Sequence, residues 1–179
     1  MKRLLGLAIL FFSASIALLA QSSLSDDSRA LKALTVPVPI EGGPVWVTVV
    51  SDKTANVLWR DAPAGESIHS DALSSGLVLY AMGVATKDFV LTPEYSIEQD
   101  GKTFAGKAIN IRNLSGGPVE RGETLLGLVA FSDKIDLTRA FTLDFAGSRV
   151  EVKFNPDDVK QWGALSRAAQ QGSAPQAPK

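Results

Sequence analysis

At 179 residues, with 45% apolar and 21% charged residues, the chain has the length and composition of one globular domain with a single core. This composition excludes intrinsic disorder and full membrane embedding. The absence of cysteine excludes disulfides, a lipidated cysteine and thiolate metal sites, and a net charge of −1 with scattered basic residues excludes phosphate-backbone binding as the main task.

The chain opens on Lys2 and Arg3, followed by the uncharged apolar run Leu4 to Ala20 and the polar stretch Gln21 to Ser25. That is the pattern of a secretory signal peptide over residues 1–22, with cleavage expected near Ser22. The run is also close to the roughly 17–25 residues that span a bilayer, so an uncleaved anchor is the alternative. Removing the signal leaves 16 basic against 19 acidic residues, a net charge of −3, and no further segment to insert in a membrane. Export without disulfides suits a bacterial periplasmic or extracellular protein. Residues 23–33 read as a linker.

From Leu34 the apolar residues recur with period two between turn signals, which predicts half-buried strands at Leu34 to Ile40, Val45 to Ser51, Ala55 to Trp59, Leu77 to Val84 and Glu123 to Phe131. Asp100-Gly101 predicts a type I′ hairpin between Tyr95 to Gln99 and Lys102 to Ala108, with Ile97 opposite Phe104, Tyr95 opposite Gly106 and Glu94 opposite Lys107. Pro93, Ile109 and Ile111 break that register, so a bulge or an edge is expected near them. A last hairpin joins Phe141 to Phe145 with Val150 to Phe154. Placing Gly147-Ser148 in a type II′ turn sets Phe145 opposite Val150, Leu143 opposite Val152 and Phe141 opposite Phe154, and puts Asp144 against Glu151 on the other face.

These strands, with no long amphipathic helix following any of them, predict an all-β fold: an antiparallel immunoglobulin-like β-sandwich of about seven to nine strands over residues 34–155. Asn155-Pro156-Asp157-Asp158 is a helix start, a cap followed by proline and first-turn acids, and predicts a helix over 156–170 with Val159, Trp162 and Ala169 on one stripe. Residues 171–179 are small, polar and proline-bearing, as a disordered tail would be. The final hairpin, Phe141 to Phe145 and Val150 to Phe154, behind a run of short strands and a signal segment, resembles that of bacterial extracytoplasmic immunoglobulin-like domains. The resemblance is architectural and implies adhesion, assembly or a spacer role. The chain lacks the cysteine pair of true immunoglobulin domains, so the resemblance does not assign the usual core tryptophan role to Trp46 or Trp59.

Chemistry-bearing motifs are sparse. His69, the single histidine, lies in Glu66-Ser67-Ile68-His69-Ser70-Asp71, which holds the residue types of a serine-hydrolase triad. Neighbours in sequence rarely converge as a triad must, so it reads as an ordinary loop histidine. Asp133 and Asp136, with Ser132, offer oxygen ligands for calcium but lack the Asp-x-Asp-x-Asp loop, and read as a polar turn. Gly42-Gly43-Pro44 and Gly116-Gly117-Pro118 lack the spacing and lysine of a phosphate loop and read as turns. Asn113-Leu114-Ser115 is a formal sequon that a turn explains equally well. No cofactor or metal site is expected.

One binding feature stands out. Val45, Val47 and Val49 share a face, which sends Trp46 to the other, where a helix or loop covers it or a partner meets it. Trp59, beside Arg60, precedes a long polar loop that contains His69 and has the length of a recognition loop. Trp46, Trp59, Arg60 and His69 are therefore the candidate ligand or partner surface. The expected function is a noncatalytic cell-envelope module that recognises a protein or glycan. The alternatives are a small hydrolase using loop acids or His69, and an assembly subunit that accepts a partner's strand.

Overall fold

The computed structural model describes residues 26–59 and 76–164. The expected signal segment, the loop carrying Arg60 and His69, and the expected tail lie outside these described residues. Within them, a helix α1 spans residues 26–33, inside the stretch read as a linker. Two strands follow, β1 (Thr35–Ile40) and β2 (Gly43–Val49), then helix α2 (Asp52–Leu58). Strands β3 (Leu77–Val84), β4 (Phe89–Leu91), β5 (Tyr95–Gln99) and β6 (Lys102–Arg112) come next. The chain continues through β7 (Gly117–Val119), β8 (Thr124–Phe131), β9 (Phe141–Phe145) and β10 (Ser148–Val152) to helix α3 (Pro156–Trp162).

All strand pairs are antiparallel, as expected. Eight strands form one sheet in the order β1-β2-β3-β8-β6-β5-β9-β10, and β4 pairs with β7 as a separate ribbon. The two separate sheets of an immunoglobulin-like sandwich are replaced by a sheet continuous through β6. Lys102 to Ala105 of that strand pair with β5, and from Gly106 onward it pairs with β8. Gly106 sits at the handover, where a Cβ would meet Val129 and Phe131 at 2.7 and 2.8 Å, so the close approach of β8 requires glycine. This transfer also ends the β5–β6 ladder at Ser96–Ala105. The Ile97–Phe104 pair forms as predicted, whereas the Tyr95–Gly106 and Glu94–Lys107 rungs do not. The predicted irregularity is present, a register shift between Ile109 and Arg112.

The sheet curls until its edge strands β1 and β10 lie side by side, where Ser148 Oγ donates to Pro39 O at 2.6 Å. The Pro39 carbonyl thus points toward β10, and the nitrogen of the same residue points the same way. Pro37, two residues earlier, shares that direction. Neither has an N–H to donate, so the barrel comes within one strand pair of closure without a backbone ladder along the seam. Inward side chains fill the interior, among them Val38, Val45, Val129, Phe131, Leu143 and Phe145, which is what an eight-stranded barrel has room for. Ala30, Leu34 and Trp162 join the same cluster and bring α1 and α3 against one end.

Two predictions are corrected here. Ala55 to Trp59 alternate like a strand but fold as α2, because Ser51 and Thr54 form a capping box: Thr54 N donates to Ser51 Oγ and Ser51 N donates to Thr54 Oγ1. The turn of the last hairpin is Ala146-Gly147, with φ of 52° and 79°, so it belongs to the family with both central residues left-handed. Leu143 therefore faces Val150 and Phe141 faces Val152, two residues from the predicted register. A shift of two keeps every apolar residue on the core face, and on the outer face it sets Arg149 rather than Glu151 opposite Asp144. The expected like-charge contact is thereby avoided. At α3 the predicted cap, proline and acids are in place and Trp162 is buried; the helix spans Pro156–Trp162 with Gly163 as its C-cap, and residues 165–170 of the expected helix, Ala169 among them, lie outside the described residues.

Candidate functional site: an apolar groove on the outer face of the sheet

The outer face of β2, β3 and β8 is apolar. One part is covered: Val50, Val78, Leu128 and Ala130 form a second buried cluster, with Trp59, Tyr80 and Ile109 packed against it. The neighbouring part is open. Antiparallel pairing sets Trp46 directly opposite Met82, and they are 50% and 48% exposed. Trp46, Thr48, Tyr80 and Met82 floor a groove of about 340 Å³, walled by Leu31 and Lys32 of α1 on one side and Leu58 of α2 on the other, with Ser28 and Thr35 at its edges.

Local sequence explains each wall. In α1, Ser28, Leu31 and Lys32 fall at i, i+3 and i+4 and share one face. Thr35 Oγ1 donates to Leu31 O at 2.6 Å and so fixes the end of α1 to the start of β1. In α2, the capping box fixes the first turn, and Thr54 Oγ1 also donates to Val49 O at 2.8 Å, anchoring the helix on the end of β2. Lys53 Nζ, 3.8 Å from Asp27 Oδ1, links the two walls. Helix α3 braces both: Arg29 lies over the Trp162 ring, and Asp52 N donates to Ala164 O.

The hydroxyls of the floor are already used, which leaves the Trp46 indole N–H as its free donor among the described residues. The Thr35 and Thr48 hydroxyls are 2.8 Å apart, and with the Thr35 proton given to Leu31 O, Thr48 donates to Thr35. The Tyr80 hydroxyl points to Met82 Sδ at 3.9 Å, and burial raises its pKa, so it stays neutral. Lys32 is the single charged residue of the lining and has no ion-pair partner among the described residues. A second depression, of about 250 Å³, is polar and lies by the Asp100-Gly101 turn. Two of its carboxylates are neutralised, Asp100 by Arg139 and Glu98 by Arg149 at 2.6 Å.

Of the residues predicted for a binding surface, Trp46 is in the groove. It is flanked by α1 and α2 rather than covered by the terminal helix. Trp59 sits at the C-cap of α2, half-buried, with its ring edge-on to Tyr80 at 6.4 Å and 84°. It packs on the outer face beside the floor, against Tyr80, and does not line the groove. Arg60 and His69 lie outside the described residues. Asp136, weighed as a calcium ligand, accepts from Thr138 N–H and its hydroxyl, which hold its carboxyl below the usual range with Arg139 adding to the effect. It closes a turn.

The sequence reading missed Tyr80, Met82, Leu31, Lys32 and Leu58. The signal for the first two was present, since Tyr80, Met82 and Val84 alternate with Leu79, Ala81 and Gly83 along a strand whose bounds were predicted correctly. Searches of family models, curated proteins and solved structures find no match to this chain.

Proposed function

We propose that this chain is a noncatalytic binding module of the cell envelope, exported by its N-terminal segment, and that it recognises its partner through the outer-face groove. The observation that carries this reading is the Trp46–Met82 pair, two large apolar side chains left half exposed side by side on the floor of a concave, walled surface. Isolated exposed apolar residues are ordinary, but paired ones in a concavity of this size have the character of a ligand site. Kinship to immunoglobulin-like envelope domains is supported by the antiparallel strands and the C-terminal hairpin, and weakened by the continuity of the sheet through β6.

A hydrolase is less well supported, because among the described residues Lys32 and Tyr80 are the only titratable ones of the groove lining and no carboxylate joins them there. Strand acceptance is also less well supported, since the β1 edge carries Pro37 and Pro39 and lies against β10. The test is calorimetric titration of the full chain with separate pools of envelope lipids, glycans and peptides, alongside Trp46→Ala. Wild-type binding to one pool that a folded Trp46→Ala variant loses is the expected result. Binding that is indifferent to Trp46 would assign recognition to another surface.

A further inference from the structure

We infer that the occupant of the groove is the alkyl chain of a free long-chain carboxylate, with Lys32 holding the carboxylate at the mouth; the inference rests on the reading of the groove as a binding site. Three observations select this chemistry. The floor offers one free donor among the described residues, the Trp46 indole N–H: Thr35 and Thr48 are committed to each other and to Leu31 O, Tyr80 is directed at Met82, and the backbone of β2 and β3 is paired on both sides. A sugar ring or an extended peptide needs several convergent hydrogen bonds that this floor does not offer, whereas an alkyl chain needs none.

The charge at the mouth is positive and unspent. Asp26 and Asp27 of α1 are engaged by Arg29 and Lys53, while Lys32, exposed on the groove wall, has no ion-pair partner among the described residues. A lone ammonium beside an apolar trough complements an amphiphile whose head is anionic. Exposed apolar surface also continues beyond the groove lining. Beyond Met82 the next outward residue of β3 is Val84, 55% exposed, so the apolar strip continues along the strand as an unbranched chain requires.

The sequence supplies a clean reporter, because Met82 is one of only two methionines, the other being Met1. In the full chain labelled at the methionine methyl groups, octanoate, decanoate and dodecanoate are titrated below their micelle concentrations, with dodecanol as the neutral comparator. The expected result is a saturable shift of the Met82 methyl, with affinity rising by up to roughly fourfold per added methylene. Dodecanoate binds more tightly than dodecanol, and Lys32→Met, a change at an exposed position, weakens dodecanoate roughly fivefold to the level of the alcohol. Equal binding of acid and alcohol, or a Lys32→Met variant that binds dodecanoate as wild type does, overturns the inference while leaving the groove as a binding surface. No saturable Met82 shift with any chain overturns the inference, while the groove reading is decided separately by the Trp46→Ala titrations with glycan and peptide pools.

Discussion

The Arg29 guanidinium lies over the Trp162 ring, 5.6 Å from its centroid, joining the first described helix to the last. Trp162 is 5% exposed and packs with Ala30 and Leu34, so its ring is part of the core and also the platform for a cation. Trp162→Ala should cost about 3–5 kcal/mol in urea unfolding, the usual range for an aromatic removed from a packed interior. Arg29→Ala should cost about 0.5–1 kcal/mol, the value of an exposed cation–π contact. Equal costs for the two would mean that the ring contributes through Arg29 alone.

At the last hairpin, Ala146 occupies a left-handed position, φ 52°, next to Gly147 at 79°. An L-residue other than asparagine, aspartate or glycine is strained there by roughly 1–2 kcal/mol, and Asn-Gly is the preferred pair for this turn. Ala146→Asn should therefore stabilise the domain by about 1 kcal/mol, and Gly147→Ala should destabilise it by a similar amount. Thermal melts of the two variants check the register directly. Were Gly147-Ser148 the true turn pair, Ala146→Asn would bring no gain.

Thr54 is fully buried, and its hydroxyl both donates to Val49 O and accepts from Ser51 N, each at 2.8 Å. Thr54→Val keeps the shape but leaves a buried donor and acceptor unpaired, which should cost about 2–4 kcal/mol. Ser51→Ala removes only the cap and should cost about 1 kcal/mol. Thr54→Ser should recover most of the loss. Denaturant midpoints compare the three, and a harmless Thr54→Val would show that this hydroxyl does not anchor α2.

Burial raises the Tyr95 phenol from 10.0 to about 12, and its hydroxyl donates to Leu114 O at 2.6 Å. The folded protein therefore holds this proton after the unfolded chain has released it. The contribution is fully present below pH 10 and is lost as the pH rises from 10 towards 12. Stability measured across that window should fall for wild type and fall less for Tyr95→Phe, which is also less stable at neutral pH because Leu114 O loses its donor. Parallel curves for the two proteins would rule out Tyr95 as the source of the alkaline loss.

Strands with strict alternation were legible in the sequence: the bounds of β3 and the Asp100-Gly101 turn follow from apolar period and turn chemistry alone. The last hairpin was legible in its existence and in which face is buried, but not in its register. Glycine suits the turn position in either Ala146-Gly147 or Gly147-Ser148, and the choice depends on which outer residues meet. Helix α2 was hidden because Ala55, Val57 and Trp59 satisfy a strand pattern over so short a stretch, and the Ser51/Thr54 cap carries threonine where glutamate or glutamine is usual. The groove was hidden for a different reason. It brings together α1, β2, α2 and β3, and only Trp46 among its lining residues stood out on its own.

The seam between β1 and β10 also sets an order in time. It joins Pro39 to Ser148, 109 positions apart, so the first strand of the barrel finds its neighbour only when nearly the whole described chain has been made. Every other pairing of β1 is local, with β2 reached through a tight turn. Closure is thus the most non-local meeting of strands in the sheet and the one least rewarded by backbone hydrogen bonds, which makes it the natural last step of sheet assembly and the first strand contact to part when the barrel breathes.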